Sequence, residues 1–356
     1  MKKLLATILS LAMVLSLAAC GGGAAEEEAP KEEAPKEEVK QEEAKPEVKK
    51  VTMKVAGTTT ADPALGEYQG MLMIEELVEK YSDGSIDVEI YPASQLGGAV
   101  EFTEACALGE VEACVVGFDQ IGNMQPEMYA LCMPYLYSSN DQMRPILEGD
   151  TAARAAIDES LAEVNLQMVG ILYRPFRVMA NNIRSVKSPA DLKGVAVRSP
   201  SSAANVAIIE ALGAAPTTIA WAEVFTSMQQ GACDGVENAI TELNSINLQE
   251  VTKYVSETNH MAAPIPLVVS KTWFEGLDAS QQEAILKAGE EITEWRAQNA
   301  KEEEEVAWSA FEAAGAECLR MDDIDFAAFQ ESCKDVYKQF VDQGYFSEEF
   351  FNSLKG

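Results

Sequence analysis

Tyr173-Arg174-Pro175-Phe176-Arg177-Val178-Met179-Ala180-Asn181-Asn182-Ile183-Arg184-Ser185-Val186-Lys187-Ser188-Pro189-Ala190-Asp191-Leu192-Lys193-Gly194-Val195-Ala196-Val197-Arg198-Ser199-Pro200-Ser201-Ser202 is the stretch on which the fold turns. In a chain with 27 Lys+Arg against 58 Asp+Glu, Arg198 stands at the end of the apolar run Val195-Ala196-Val197, where solvation does not account for it. The run is short and β-branched, and Pro200-Ser201-Ser202 caps an Ala/Ile-rich segment behind it. Arg198 is therefore expected at the C-terminal end of a strand, just before a helix, which is where ligands bind in open α/β sheets. An arginine there calls for an anion, either a ligand or one of the chain's many acids.

Working outward, the same alternation repeats on both sides. Upstream, Val51–Ala56 and Ile86–Tyr91 alternate as strands, 111–116 reads as a buried strand, and helices are expected near 67–80 and 99–108. That order predicts parallel pairing with right-handed crossovers. Residues 141–164 read as helices and 167–172 as a strand leaving the first unit. Downstream come strand 195–198, helix 202–212, strand 216–219, helix 222–230 and strand 234–237, with Gly213 and Gly231 as helix stops. The strand 266–270 then returns the chain to the first unit. The expected class is α/β, a two-lobed binding-protein-like clamp with hinge crossovers near 174–177 and 262–266. No proline interrupts 279–314, and apolar residues recur there at close to a helical period, so one helix of roughly 54 Å is expected. It is too long for one lobe, although Lys301–Glu305 breaks its apolar stripe.

The arrangement of short motifs resembles the DctP-type solute-binding proteins of tripartite ATP-independent periplasmic (TRAP) transporters. The residues concerned are Arg177, then Ser188-Pro189-Ala190-Asp191-Leu192-Lys193-Gly194, Val197-Arg198 and Asp234-Gly235-Val236-Glu237-Asn238. Tyr91-Pro92-Ala93-Ser94-Gln95-Leu96-Gly97, Met133-Pro134-Tyr135-Leu136 and Thr258-Asn259-His260 join them, so the resemblance spans roughly 51–350. It implies lobe I from 51–176 plus 264–303, lobe II from 177–263 plus 304–356, and a long helix across both. It also implies that Arg198 pairs with a ligand carboxylate, that Arg177 is a second site arginine, and that Trp221 packs on the ligand body. Asn238 would donate to a ligand oxygen, and Phe118 and Asp119 would contribute from lobe I. In sialic-acid-binding relatives a carboxylate stands near the Phe118 position; phenylalanine there implies a smaller or more apolar acid. Arg174 and Arg184 lack a match and are expected on the surface.

Other functions have less to build on. The single histidine, His260, has no Gly-x-Ser-x-Gly elbow to serve, and no Gly-rich phosphate cradle follows a strand. No cofactor is expected. A net charge of −31 argues against nucleic acid as a partner. Cys106, Cys114, Cys132, Cys233, Cys318 and Cys333 show no metal-like spacing and read mostly as small buried hydrophobes.

Lys2-Lys3, the apolar run Leu4–Leu17 and Leu17-Ala18-Ala19-Cys20 read as a lipoprotein signal peptide over 1–20, with Cys20 the lipidated residue. Residues 21–50, with ten Glu and six Lys, read as a disordered acidic tether. The expected protein is anchored through lipid on the extracytoplasmic face of the cell membrane. There it captures a small organic acid, a C4-dicarboxylate or a relative of one, for the small four-helix and large permease subunits of a TRAP transporter. A carboxylate-sensing receptor for a signalling partner and an enzyme on a clamp-like fold are the alternatives.

Overall fold

Strand β1 (Val51–Gly57) opens the first sheet, with Met53 and Val55 fully buried and Lys54 between them half-buried. The computed structural model describes residues 49–355; Cys20, the leader and nearly all of 21–50 lie outside the described residues. Helix α1 (Gly66–Tyr81) returns the chain to β2 (Ile86–Tyr91), and α2 (Ala99–Leu108) leads to β3 (Ala113–Val115). Both β2 and β3 pair parallel to β1, as the sequence predicts. Helices α3 (Phe118–Ile121), α4 (Asn140–Leu147) and α5 (Ala152–Glu163) follow, then β4 (Leu166–Leu172).

Residues 173–176 carry the chain into a second sheet, which begins with β5 (Arg177–Asn181). There β6 (Ala196–Ser199), α6 (Ala203–Ala211), β7 (Ala215–Thr218), α7 (Val224–Gln230) and β8 (Gly235–Ala239) form the second winding, β6 lying parallel to both β7 and β8. After α8 (Ile240–Ser245) and β9 (Tyr254–Ser256), residues 257–264 cross back to β10 (Ile265–Ser270). This strand is antiparallel to both β3 and β4, so the first sheet has the order β2-β1-β3-β10-β4.

Helix α9 (Lys271–Glu275) precedes α10, one continuous helix of 35 residues (Ala279–Ala313) whose start is fixed by a capping box between Asp278 and Gln281. Its two halves serve different cores. Ile285, Ala288 and Ile292 pack with Met53, Val55 and Leu267 on the first sheet; Ala307, Trp308 and Phe311 pack with Val178 and Val236 on the second and with Leu243 of α8. At its first crossing the helix lies directly on β4, where a Cβ on Gly289 would stand 1.8 Å from the Val169 carbonyl oxygen.

The charge run that breaks the apolar stripe meets the start of α1. Glu303 accepts the Gly66 N–H at 2.8 Å and Arg296 Nη1 at 2.8 Å, and Arg296 Nε donates to the Tyr173 carbonyl at 3.0 Å. Strand β11 (Glu317–Leu319) then rejoins the second sheet, giving β11-β9-β5-β8-β6-β7. Helices α11 (Phe326–Cys333), α12 (Val336–Asp342) and α13 (Glu348–Ser353) build a third core, in which Phe329, Phe340 and Phe350 join Ile157 of α5 and Ile208 of α6. The six cysteines among the described residues are free thiols, five of them buried and Cys318 partly so.

Candidate functional site

A cavity of about 570 Å³ opens between the two sheets, where the C-terminal ends of β1, β3, β6 and β8 converge. Arg198, next to last in β6, lines it and is 4% exposed. Its Nε donates to the Ile219 carbonyl at 2.8 Å, and its guanidinium lies 5.4 Å from the centroid of the half-buried Trp221 ring. Its two terminal nitrogens meet no protein acceptor among the described residues, and no carboxylate there lies within 4.0 Å of it. Burial pushes its pKa down to about 10; Glu237 opposes that shift and Arg177 adds to it. The chain thus keeps a buried cation without neutralising it.

Arg177, at the start of β5, is committed differently. Its Nε and Nη2 both donate to the Glu237 carboxylate, Nη2 also to the Glu237 carbonyl at 2.9 Å, and Nη1 to Asn238 Oδ1 at 2.8 Å. Antiparallel pairing of β5 with β8 sets this up by placing Arg177 opposite Ala239 and Val178 opposite Asn238. Glu237 also meets Asn205 Nδ2 at 3.1 Å and His260 Nε2 at 3.2 Å. Burial alone would raise its pKa, but the Arg177 charge and hydrogen bond, helped by His260, hold it at about 2. The sole histidine is thus a buried structural partner, its Nδ1 2.8 Å from Thr258 Oγ1. Arg177 touches the cavity mainly as a neutralised pair that holds Asn238. Asn238 Oδ1 receives both Arg177 and the Ala239 N–H, which turns its Nδ2 donor toward the cavity.

From the first sheet, Asp119 in the first turn of α3 lines the cavity, its Oδ2 accepting Gln120 Nε2 at 3.0 Å. Phe118 does not line it. Its ring is 2% exposed and packs in the core with Ile121 and Leu131, because the turn that aims Asp119 at the cavity aims its neighbour inward.

Arg174, expected on the surface, is 9% exposed and lines the cavity. Its Nη1 lies 3.2 Å from Glu67 of α1 and 3.5 Å from Glu242 of α8, while Nε donates to the Ala263 carbonyl at 3.3 Å. Both acids are 3% exposed and line the cavity. Burial, with the Glu67 charge next in size, pushes the Glu242 carboxyl up to about 8, so it carries a proton at neutral pH. Neither acid stood out among 58, and only the chain crossing at 173–176 brings them together with Arg174.

Two mixed α/β lobes joined by crossing strands, with an anion-seeking cleft between them, define a ligand-binding clamp. The chain belongs to the bacterial extracellular solute-binding protein family 7, also called DctP, whose model matches residues 57–343. It is 27% identical over 274 residues to the sialic acid-binding periplasmic protein SiaP of Vibrio cholerae, covering 77% of this chain and 84% of that protein. To the C4-dicarboxylate-binding periplasmic protein DctP of Rhodobacter capsulatus it is 29% identical over 295 residues, covering 82% and 87%. Among solved structures it is similar to a TRAP periplasmic solute-binding protein from Sulfitobacter sp. NAS-14.1 with bound β-D-galacturonate. There the TM-score is 0.81 at 27% identity, covering 86% of this chain and 99% of that one.

Proposed function

We propose that this protein is an extracytoplasmic receptor that captures a small organic carboxylate through Arg198 and delivers it to the membrane subunits of a TRAP transporter. The observation that carries the reading is the Arg198 guanidinium, buried in the cleft with both terminal nitrogens free of protein acceptors. A ligand carboxylate supplies the missing acceptors in the bidentate geometry that suits a planar fork. Trp221 offers an aromatic face beside the fork, Asn238 Nδ2 a donor, and Asp119 an acceptor from the other lobe. Arg177 holds this arrangement in register. Family membership and the acids named for relatives, a C4-dicarboxylate and galacturonate among them, support the same class of ligand.

The family is one of receptors rather than enzymes, and nothing in the cleft calls for bond-making chemistry. The two lobes, 51–176 plus 264–303 and 177–263 plus 304–356, turn about hinges near 174–177 and 262–266. Native mass spectrometry of protein purified without denaturation, followed by calorimetry with the acid so identified, tests the reading. Binding that survives Arg198→Ala undiminished would overturn it.

Anchoring is part of the proposal. Cys20 bears the lipid and residues 21–50 set the receptor off the membrane, so Cys20→Ser should move the protein from washed membranes to the soluble fraction. Retention of the variant in membranes would point to an uncleaved leader.

A further inference from the structure

Glu67 and Glu242 converge on one nitrogen of Arg174 at 3.2 and 3.5 Å, so this corner of the cleft holds two buried carboxylates for a single cation. Among the described residues no other cation lies within 4.0 Å of either acid, and Arg296 acts on Glu242 only from farther away. Arg296 is spent on Glu303 and the Tyr173 carbonyl, and Arg174 Nε on the Ala263 carbonyl. Glu67 is 3% exposed, its Oε2 faces Arg174 Nη1 at 3.2 Å without a hydrogen bond, and its side chain lines the same cavity as Arg198. With Arg174 the one cation close to both acids, the pair keeps a proton on Glu242 in place of a second cation unless a ligand supplies one. The cleft is therefore polarised, with an uncommitted cation at Arg198 and, at Glu67 and Glu242, two carboxyl groups that share one cation.

We infer that the ligand is a zwitterion, an amino acid whose carboxylate is taken by Arg198 and whose ammonium group is taken by the Glu67–Glu242 pair. This rests on the carboxylate-capture reading and deepens it. A ligand hydroxyl would bring no charge to take the place of the Glu242 proton, whereas an ammonium supplies three donors and a full positive charge. A second carboxylate at that corner would face two acids.

The groups facing Glu242 are Glu67 on α1, Arg174 on the crossover, and Arg296 and Glu303 on α10. Burial first, then the Glu67 and Glu303 charges against those of Arg174 and Arg296, leave it protonated while no ammonium is bound. When the ammonium docks, the Glu242 O–H gives its proton to the buffer and the resulting carboxylate pairs with the ligand. Charge balances, because the ligand brings one positive charge to this corner and one proton leaves it.

The test uses calorimetry at pH 7 with 5-aminopentanoate, pentanoate, glutarate and galacturonate, in buffers of differing ionisation enthalpy. The amino acid is expected to bind at least about tenfold tighter than the other three. It should release up to about one proton per site, and pentanoate should release none. In Glu242→Gln the preference for 5-aminopentanoate over pentanoate should fall toward unity; Glu67→Gln reports on the same corner should the first variant fail to fold. Glutarate or galacturonate binding as tightly as the amino acid, or amino-acid binding without proton release, overturns the zwitterion assignment and leaves carboxylate capture standing. If none of the four binds while an acid co-purified with the protein does so through Arg198, the assignment stands or falls on whether that acid carries an amine. Dependence of no acid at all on Arg198 overturns the underlying reading instead.

Discussion

Glu237 is committed to Arg177, with both carboxylate oxygens taken by that guanidinium, and is therefore not available to Arg198 on the next strand. The two arginines line the same cavity, are equally buried and lie on strands flanking β8, yet only one is neutralised by the protein. That asymmetry divides structural work from binding work.

Binding should depend on the shape of the Arg198 side chain as well as its charge. Arg198→Lys keeps a cation but loses the two-nitrogen fork and the planar face against Trp221. It should weaken carboxylate binding by about 2 kcal/mol, roughly thirtyfold. Calorimetry on the wild type and variant with the co-purified acid measures this. Equal affinities, with a lowered melting temperature in the variant, would make Arg198 a structural residue.

Stability should show the reverse order. Arg177→Ala leaves Glu237 ionised, buried and without its main partner, which costs about 3–5 kcal/mol. Arg198→Ala removes a buried cation that already bears a desolvation burden, so stability should stay within about 0.5 kcal/mol or rise. Denaturant unfolding of both variants without ligand decides the matter. An Arg198→Ala loss as large as that of Arg177→Ala would mean that the protein itself neutralises Arg198.

Arg198 and Asn238 are legible as candidates because they sit near strand ends inside short motifs, but the sequence reads Arg177 as a second ligand arginine and does not show its commitment to Glu237. The long helix was readable because its period is visible over 35 residues. Arg174 was not. Its burial arises where α1, α8 and the 173–176 crossing meet, and its partners Glu67 and Glu242 lie 107 residues before it and 68 after it. Nor could the sequence separate Phe118 from Asp119, since adjacent residues in one turn part between core and cleft according to how that turn is seated. The antiparallel insertion of β10 between β3 and β4 shows the mixed character of the first sheet, which an alternating βαβ reading covers only in part.

Closure of the clamp follows from the division of the site. Asp119 stands on the first lobe, whereas Arg198, Trp221 and Asn238 stand on the second, so a ligand that touches both favours the closed arrangement by its difference in affinity for the two states. Small-angle scattering should give a smaller radius of gyration once the acid is added. Arg198→Ala should abolish the change. An unaltered profile at saturating ligand in the wild type would reject hinged closure in favour of a preformed pocket.

The acidic corner should set the pH dependence of the unliganded protein. Glu242 has its pKa raised from 4.5 to about 8, so between those values the folded chain holds a proton that the unfolded chain has released. Its contribution to stability is fully present below about pH 4.5 and is lost as the pH rises through about 8. Glu237 works in the opposite sense. With its pKa lowered to about 2, its contribution is present above pH 4.5 and is lost as the pH falls through about 2. Glu242→Gln keeps the neutral shape without the ionisation, so at pH 5 it should match the wild type closely. By pH 9 the variant should be the more stable protein, by about 2 kcal/mol or more. Melting curves of both proteins across that range, recorded without ligand, are the measurement. A gap between them that stays constant with pH would show that Glu242 is already ionised at neutrality, with Arg174 alone balancing both acids.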